Sequence, residues 1–210
     1  AGAAGLALAI VLGRRAGWPK QPMKPHSLPL VLLGASLLWF GWFGFNAGSA
    51  LGANDLAALA FTNTMVATAG AVVGWLVVDR IKEGRATSLG AASGAVAGLV
   101  AITPGCAFVA PWAAVSIGLM AGVVCAFAVS LKFRVGIDDS LDVVGVHLVG
   151  GLVGTLAIGL LATKAVNSAG RDGLLYGGGW ELLRLQATGA FTVLAYSFVV
   201  TFVIGWVLNK

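Results

Sequence analysis

The fold is decided by residues 86–131, "ATSLGAASGAVAGLVAITPGCAFVAPWAAVSIGLMAGVVCAFAVSL", a run of 46 residues without Asp, Glu, Lys or Arg. A transmembrane helix needs about 20 apolar residues, so this run is long enough for two spans. Pro104-Gly105 and Pro111 lie near its middle. Proline interrupts the helical hydrogen-bond ladder and glycine tolerates turn geometry. The run therefore predicts two membrane helices joined by a turn.

The composition of the whole chain agrees with a membrane protein. Hydrophobic residues make up 59% of the 210 residues and charged residues only 10%, whereas a soluble domain carries roughly 25% charged residues. The net charge of +5 does not indicate nucleic-acid binding, because the basic residues form short clusters between apolar runs. Cys106 and Cys125 have neither a disulfide nor a metal-ligand spacing. We expect no metal site and no cofactor.

Other charge-free runs locate further spans. We predict an all-α bundle, since the runs are continuously apolar rather than alternating as in a barrel. Residues 1–13 are too few to cross the bilayer, so we expect the chain to start partway through a helix of a larger protein. The predicted spans are approximately 1–13 (partial), 28–47, 56–78, 87–103, 111–131, 141–163 and 185–208.

The basic residues predict the orientation. If the loop after Gly13 is cytoplasmic, ten basic residues lie inside and three outside, as the positive-inside rule requires, and the C-terminus is also cytoplasmic. The ten are Arg14, Arg15, Lys20, Lys24, Arg80, Lys82, Arg85, Lys132, Arg134 and Lys210, and the three are Lys164, Arg171 and Arg184.

Glycines four residues apart recur along the spans, and residues with this spacing share one helix face. Such faces allow helix backbones to approach closely in a membrane. We expect most of them to serve packing, with a glycine-lined pore wall as the alternative. The sets are Gly44, Gly48 and Gly52; Gly70 and Gly74; Gly90, Gly94 and Gly98; Gly118 and Gly122; and Gly150 and Gly154.

An ionisable ring lies inside an apolar span in "DDSLDVVGVHLVGG", residues 138–151. His147 is about 8–14 Å into this span at 1.5 Å per residue. It is either a neutral group that hydrogen-bonds across a helix interface or a pore-lining, proton-relaying group. The carboxylates of Asp138, Asp139 and Asp142 come at the start of the helix, where capping of free N–H groups is the expected role. Their charge also offers a bias toward cations.

A second dense patch is "LLWFGWFGFNAGSA", residues 37–50. An aromatic belt at the membrane interface explains some of its rings. Trp42, Phe45 and Ser49, however, fall on one helix face, and two rings with a hydroxyl are able to hold a small cation. His26, in "KPHSLPLV", is expected in a loop or at a helix start. Sequence motifs of conventional enzymes such as GxSxG, HExxH and the P-loop are absent from the sequence, so we do not expect an enzyme.

Three segments together carry a resemblance to a known family. "KPHSLPLVLLGASLLWFGWFGFNAGSA" (24–50), "LGAASGAVAGLVAITPGC" (89–106) and "DDSLDVVGVHLVGGLVG" (138–154) resemble signature segments of the ammonium transporter family, Amt/Rh, and the bacterial Amt branch fits best. The likeness extends along essentially the whole chain. The resemblance implies an eleven-helix fold of two inverted halves, of which this chain would supply part of the fifth helix and helices six to eleven.

The resemblance also implies roles for individual residues and partners. His147 matches the second of two pore histidines, Phe45 one of two outer gate phenylalanines, and Trp42 and Ser49 the site that recruits ammonium. Asp139 and Asp142 match the acidic start of the tenth helix. The implied partners are ammonium or ammonia, the lipid bilayer, two further copies in a homotrimer, and a P-II regulatory protein; nucleic acid is not among them. Positions lining or flanking the pore are matched by Val96, Thr103 and Val143.

Parts of the family pattern fall outside the sequence. The first pore histidine would lie just before Ala1, and the other gate phenylalanine and the cytoplasmic tail are also outside. We therefore expect this chain alone to be inactive, and the transport function belongs to the whole protein in a cell membrane. A neutral gas or water channel and an ammonium sensor are the alternative functions.

Overall fold

A computed structural model of the protein describes residues 1–21 and 23–210. In this part of the chain, all regular elements are helical apart from one isolated bridge between Val109 and Ala162. A π-helical turn, Val144–Leu148, runs directly into α6, and short 3-10 turns occupy Gly48–Ala50 and Leu174–Tyr176. The helices are α1 (Gly2–Leu12), α2 (Leu28–Asn46), α3 (Asp55–Glu83), α4 (Ser88–Ile102), α5 (Pro111–Val135), α6 (Val149–Leu161) and α7 (Glu181–Leu208).

Five helical segments are long and apolar enough to cross a membrane, which confirms the prediction of a multi-pass helical membrane protein. They are Leu28–Ala50, Asp55–Glu83, Pro111–Val135, Val144–Leu161 and Glu181–Leu208. The helices α1 and α4 are apolar but shorter. At 15 residues, α4 is about 22 Å long, less than the roughly 30 Å of the hydrocarbon core.

Irregular backbone follows α4 and reaches α5 at Pro111. This connection, residues 103–110, is held from the side by Asn63 of α3, which is fully buried. The Asn63 amide Nδ2 donates to the carbonyl oxygens of Cys106 at 2.8 Å and Val109 at 2.7 Å. Non-helical backbone at membrane depth is tolerated only where protein groups satisfy it. Asn63 therefore replaces part of the hydrogen bonding that a continued α4 would have supplied.

The α3 and α5 helices pack with their backbones close together. A Cβ atom built on Gly118 would lie 2.0 Å from the carbonyl oxygen of Ala67, and one on Gly122 would lie 2.2 Å from that of Ala71. In the opposite direction, a Cβ on Gly74 would meet the carbonyl oxygen of Leu119 at 2.5 Å. The close approach is possible because one of the two residues at each contact is a glycine, as in small-residue membrane interfaces.

The other predicted glycine faces divide into two kinds. Gly94 and Gly98 of α4 lie against α3, and Gly154 of α6 lies against Ala101 of α4. In α2, by contrast, no atom lies within 4 Å of a Cβ built on Gly44, and the same holds for Gly48 in the following turn. The packing interpretation thus fits the central helices, whereas the α2 glycines make no close contact in the described chain.

The central helices α3, α4, α5 and α6 form the core, and α2 and α7 lie at its edges. The most apolar 18-residue windows of α2 and α7 contain no buried residue. The α1 helix packs along α7, where Leu8 approaches Gly205 and the Asn209 amide donates to the carbonyl oxygen of Val11 at 3.3 Å. The bundle therefore has a packed centre with apolar helices exposed at both edges.

Gly118→Ala is expected to destabilise the protein. The new methyl group would collide with the backbone of Ala67, and overpacking of this kind costs about 1–3 kcal/mol. Gly41→Ala in α2 is the matched control, because nothing in the described chain lies within 4 Å of its Cβ position. Thermal unfolding of the full-length protein in detergent is the measurement. Equal melting temperatures for the two variants would contradict the close α3–α5 contact.

Candidate functional site

His147 is the fourth residue of the π-helical turn that precedes α6. π-helical turns are rare and are frequently found at functional sites. The side chain is half-buried, and within residues 1–21 and 23–210 its ring nitrogens make no hydrogen bond. The α1 helix packs closely beside it, since a Cβ on Gly2 would meet the backbone of Leu148 at 2.3 Å.

Asp139 builds the start of this turn. Its carboxylate accepts hydrogen bonds from the backbone N–H groups of Val143 at 3.0 Å and Val144 at 2.7 Å, and the residue is only 7% exposed. These are two of the N–H groups that have no partner inside a helix. Asp139 therefore caps the turn. It also fixes the backbone at Val144, three residues before His147.

Lys132, near the end of α5, holds the same segment from the other side. Its ammonium group donates to the Asp142 carboxylate and to the carbonyl oxygen of Asp139, the latter at 2.9 Å. Burial raises the pKa of Asp142 above its ordinary value, and the hydrogen bond and charge of Lys132 oppose that rise. Asp142 is thus an ion-pair partner rather than a cap.

Asp138 has a third role. It forms an ion pair with Arg15 at 3.1 Å and accepts a hydrogen bond from the Arg15 backbone N–H at 3.0 Å. Arg15 belongs to the segment that follows α1, and Asp138 to the segment that precedes the π-helical turn. The ion pair therefore joins these two segments. Of the three predicted helix-start acids, one caps the helix and two hold neighbouring segments.

His147 lines a cavity of about 600 Å³ between α2, α4 and the start of α6. We call it the two-histidine cavity, because His26 lies in its wall as well. Val96 of α4 and Asp142 also line it, so the structure brings Val96 and His147 to one cavity. Lys24, Ser93 and Ser140 line it as well.

A second cavity, of about 360 Å³, lies on another side of His147 between α1, α6 and α7. Ala1, Thr155 and Gln186 are among its lining residues. His147 therefore contributes to the lining of both cavities.

The predicted aromatic face forms a third cavity, of about 290 Å³, which we call the Phe45 cavity. Phe45, Ser49 and Thr103 line it. The Trp42 indole Nε1 donates to the Thr103 hydroxyl at 2.7 Å, and the Trp42 and Phe45 rings meet edge to face at 5.9 Å. The Ser49 hydroxyl donates to the carbonyl oxygen of Phe45 at 2.6 Å. Phe45, Ser49 and Thr103 therefore lie together, and Trp42 bonds to Thr103 and packs against Phe45.

Val143 lies elsewhere. It lines a separate cavity of about 350 Å³ with Gly5 and the Arg14–Arg15 segment, and its Cγ1 would be 2.8 Å from a Cβ on Gly5. His147 is not among the lining residues of this cavity. Its predicted position along the pore remains a prediction.

Two residues that support the site were not predicted from the sequence. Asn63 stands as a polar residue inside the 56–78 span, which is itself a signal, because polar groups within membrane segments are costly. In the sequence, Lys132 contributes only to the charge pattern that predicts the orientation. Nothing there indicates that its side chain turns toward Asp142. Its role depends on the path of the chain between α5 and α6.

Comparison with known proteins identifies the family. The model of the Ammonium Transporter Family matches residues 1–210. The chain belongs to the ammonium transporter family. It is 58% identical over 214 residues to the "Ammonium transporter" of Mycobacterium tuberculosis (strain ATCC 25618 / H37Rv), a match that covers 100% of this chain and 45% of the relative. The chain spans about half the length of the curated relatives it matches.

Solved structures of the ammonium transporter family share the fold. The crystal structure of Candida albicans Mep2 matches with a TM-score of 0.89 and 38% identity, over 97% of this chain and 46% of that one. A structure described as "Sensor Amt Protein" matches with a TM-score of 0.86 and 33% identity, over 100% of this chain and 52% of that one. The predicted resemblance and helical membrane fold are confirmed. The curated relatives bear the names of transporters, which agrees with the expectation that the protein is not an enzyme.

Asp139→Ala is expected to loosen the π-helical turn, because the N–H groups of Val143 and Val144 lose their acceptors. Loss of a helix cap costs about 0.5–2 kcal/mol. We expect faster amide hydrogen exchange over residues 140–150 and a lower melting temperature for the full-length protein. Asp139→Asn keeps one acceptor oxygen, so its amide exchange rate and melting temperature should lie between those of the wild type and Asp139→Ala. Unchanged exchange in the alanine variant would contradict the capping role.

Proposed function

We propose that the whole protein transports ammonium across a cell membrane. The observation that carries the proposal is the position of His147, which lines two cavities in a membrane segment of an ammonium transporter family chain. On this proposal, ammonium is recruited at the Phe45 cavity and loses a proton. Ammonia then passes His147 through an apolar pore, with or without a relayed proton.

Electrostatics explains why deprotonation is needed. A bare ammonium ion that enters an apolar pore loses its hydration, and burying an unpaired charge is very costly. Neutral ammonia does not incur that cost. At the Phe45 cavity the ring of Phe45 is able to attract the cation before it is desolvated, since cation–π attraction contributes about 0.5–2 kcal/mol.

Histidine suits the central position because a neutral imidazole donates through one nitrogen and accepts through the other. It is able to accept a hydrogen bond from ammonia or to pass a proton along. We propose that a second histidine, outside residues 1–210, completes the pair. On the same grounds, residues 1–210 alone should not conduct.

Further proposals concern the assembly. The distribution of ten basic residues on one side and three on the other supports a cytoplasmic loop after Gly13 and a cytoplasmic C-terminus. A homotrimer is proposed on the family resemblance. A P-II regulatory protein is proposed as a cytoplasmic partner on the family resemblance alone.

A sensor is the second candidate function. It is favoured by the likeness to the structure described as "Sensor Amt Protein", with a TM-score of 0.86 over 100% of this chain. That protein is 33% identical to this chain, below the 58% of the mycobacterial relative named a transporter. Transport is therefore the proposal that we put first.

His147→Ala is expected to reduce ammonium-evoked current or flux in proteoliposomes that contain the full-length protein. General acid–base groups typically contribute 10²–10⁴-fold, so we expect a loss of at least about tenfold or a change in selectivity. Val199→Ala on the exposed face of α7 is the control for expression and insertion. Unchanged current and selectivity in the histidine variant would exclude the central role, and no transport by the wild type would favour the sensor.

Trp42→Phe should weaken the apparent affinity for ammonium while the protein remains folded. The variant keeps a ring but loses the hydrogen bond to Thr103, and a neutral hydrogen bond contributes about 0.5–1.5 kcal/mol. We expect a rise of about twofold to tenfold in the half-saturating ammonium concentration. Thr103→Val removes the same bond from the other side, and the double variant should add little to either single change. Fully additive effects would mean that the bond does not position the indole.

A further inference from the structure

The two-histidine cavity contains every histidine of the chain. The sequence has two histidines in 210 residues, and His26 and His147 both line this one space of about 600 Å³. His147 lies in the membrane segment, whereas His26 is exposed to solvent in the connection that precedes α2. The wall of the cavity thus contains one half-buried imidazole and one exposed imidazole.

His26 is held at the cavity wall by the start of α2. Ser27, the next residue, is the N-cap of α2, and its hydroxyl accepts a hydrogen bond from the Leu30 backbone N–H at 3.4 Å. A cap fixes the direction in which the chain enters a helix. The backbone at His26 therefore lies next to an ordered helix start.

Among the ionisable side chains that line the cavity near His26, histidine is the type best suited to exchange protons. Lys24, on the same segment, is a cation that does not ordinarily release its proton near neutral pH. Asp142, from the start of α6, is engaged by Lys132. Within the described chain, α2 and α4 contribute no charged side chain to the lining. Histidine is the side chain that ordinarily gains and loses a proton near neutral pH.

We propose that His26 is the group through which protons relayed past His147 leave the two-histidine cavity for bulk water. This inference rests on the proposed function, and specifically on a relayed proton. A space of about 600 Å³ has room for several water molecules, since one water needs only about 10–15 Å³ of such space. The hydroxyls of Ser93 and Ser140 offer polar contacts along its wall.

The proton balance of this step is simple. A proton that arrives through hydrogen-bonded water forms a bond to the unprotonated ring nitrogen of neutral His26. The resulting imidazolium then loses the proton of its other ring nitrogen to bulk water, and the ring returns to the neutral form. No other reactant is consumed. The exit rate therefore depends on the pH at the side to which His26 is exposed.

The test uses the full-length protein in proteoliposomes, with ammonium-evoked current and the signal of a pH dye trapped on the His26 side. His26→Gln keeps hydrogen-bonding capacity but does not titrate. We expect current to fall by about threefold to tenfold, less than the 10²–10⁴ typical of an acid or base in a dry site, because water bypasses an exposed group. The current should also lose its dependence on pH at that side near neutrality.

Matched variants separate proton exit from surface charge. Lys24→Gln alters the charge of the same wall and should keep the pH dependence of the wild type. Imidazole added on the His26 side should restore current to His26→Gln, whereas it should not restore His147→Ala, whose ring lies within the membrane segment. A melting temperature equal to that of the wild type checks that His26→Gln is folded.

The outcomes distinguish this inference from the function on which it rests. Wild-type current together with an unchanged pH profile in His26→Gln overturns the role of His26 and leaves transport intact. Ammonium-driven flux without proton movement also overturns it. If the wild type moves neither ammonium nor protons, the proposed function fails and the role of His26 fails with it. Loss of the pH dependence with rescue by imidazole supports it.

Discussion

The structure depends on one constraint: a peptide group in hydrocarbon has no water to bond and must find its partner within the protein. Continuous helices meet this requirement along most of the chain. Where the helix is interrupted, a side chain takes over. The Asn63 amide satisfies two carbonyl groups beyond α4, and the Asp139 carboxylate satisfies two N–H groups before α6. Both interruptions lie next to residues of the candidate site.

The close contact of α3 and α5 positions the residues that hold those interruptions, since Asn63 lies on α3 and Lys132 on α5. Membrane helices gain little from hydrophobic burial against each other, so close packing of small residues has to hold them together. Gly118 and Gly122 place the two backbones in direct contact. The same α5 helix continues to Lys132, which holds Asp139 and Asp142. Packing in the centre is thereby connected to the segment that carries His147.

The cavities explain how one fold separates the steps of the proposed transport. At the Phe45 cavity, aromatic rings and hydroxyl groups meet a cation that still has water around it. His147 lies within an apolar membrane segment, where a neutral solute is favoured over a bare ion. The two-histidine cavity adds polar groups such as Ser93 and Ser140. In the proposed transport, this order of environments would favour deprotonation first and reprotonation later.

The sequence by itself determined the helical membrane class, the family and the grouping of Trp42, Phe45 and Ser49, because charge-free length and helical spacing are local properties. It also indicated the glycine packing of the central helices. Only the tertiary structure decided which carboxylate caps the turn, that the Asn63 amide binds the backbone where α4 ends, and that both histidines share one cavity. Asn63 and the shared cavity bring together residues far apart in the chain. Asp139 bonds to N–H groups only four and five residues further on, but no local pattern specifies which of three neighbouring carboxylates makes these bonds.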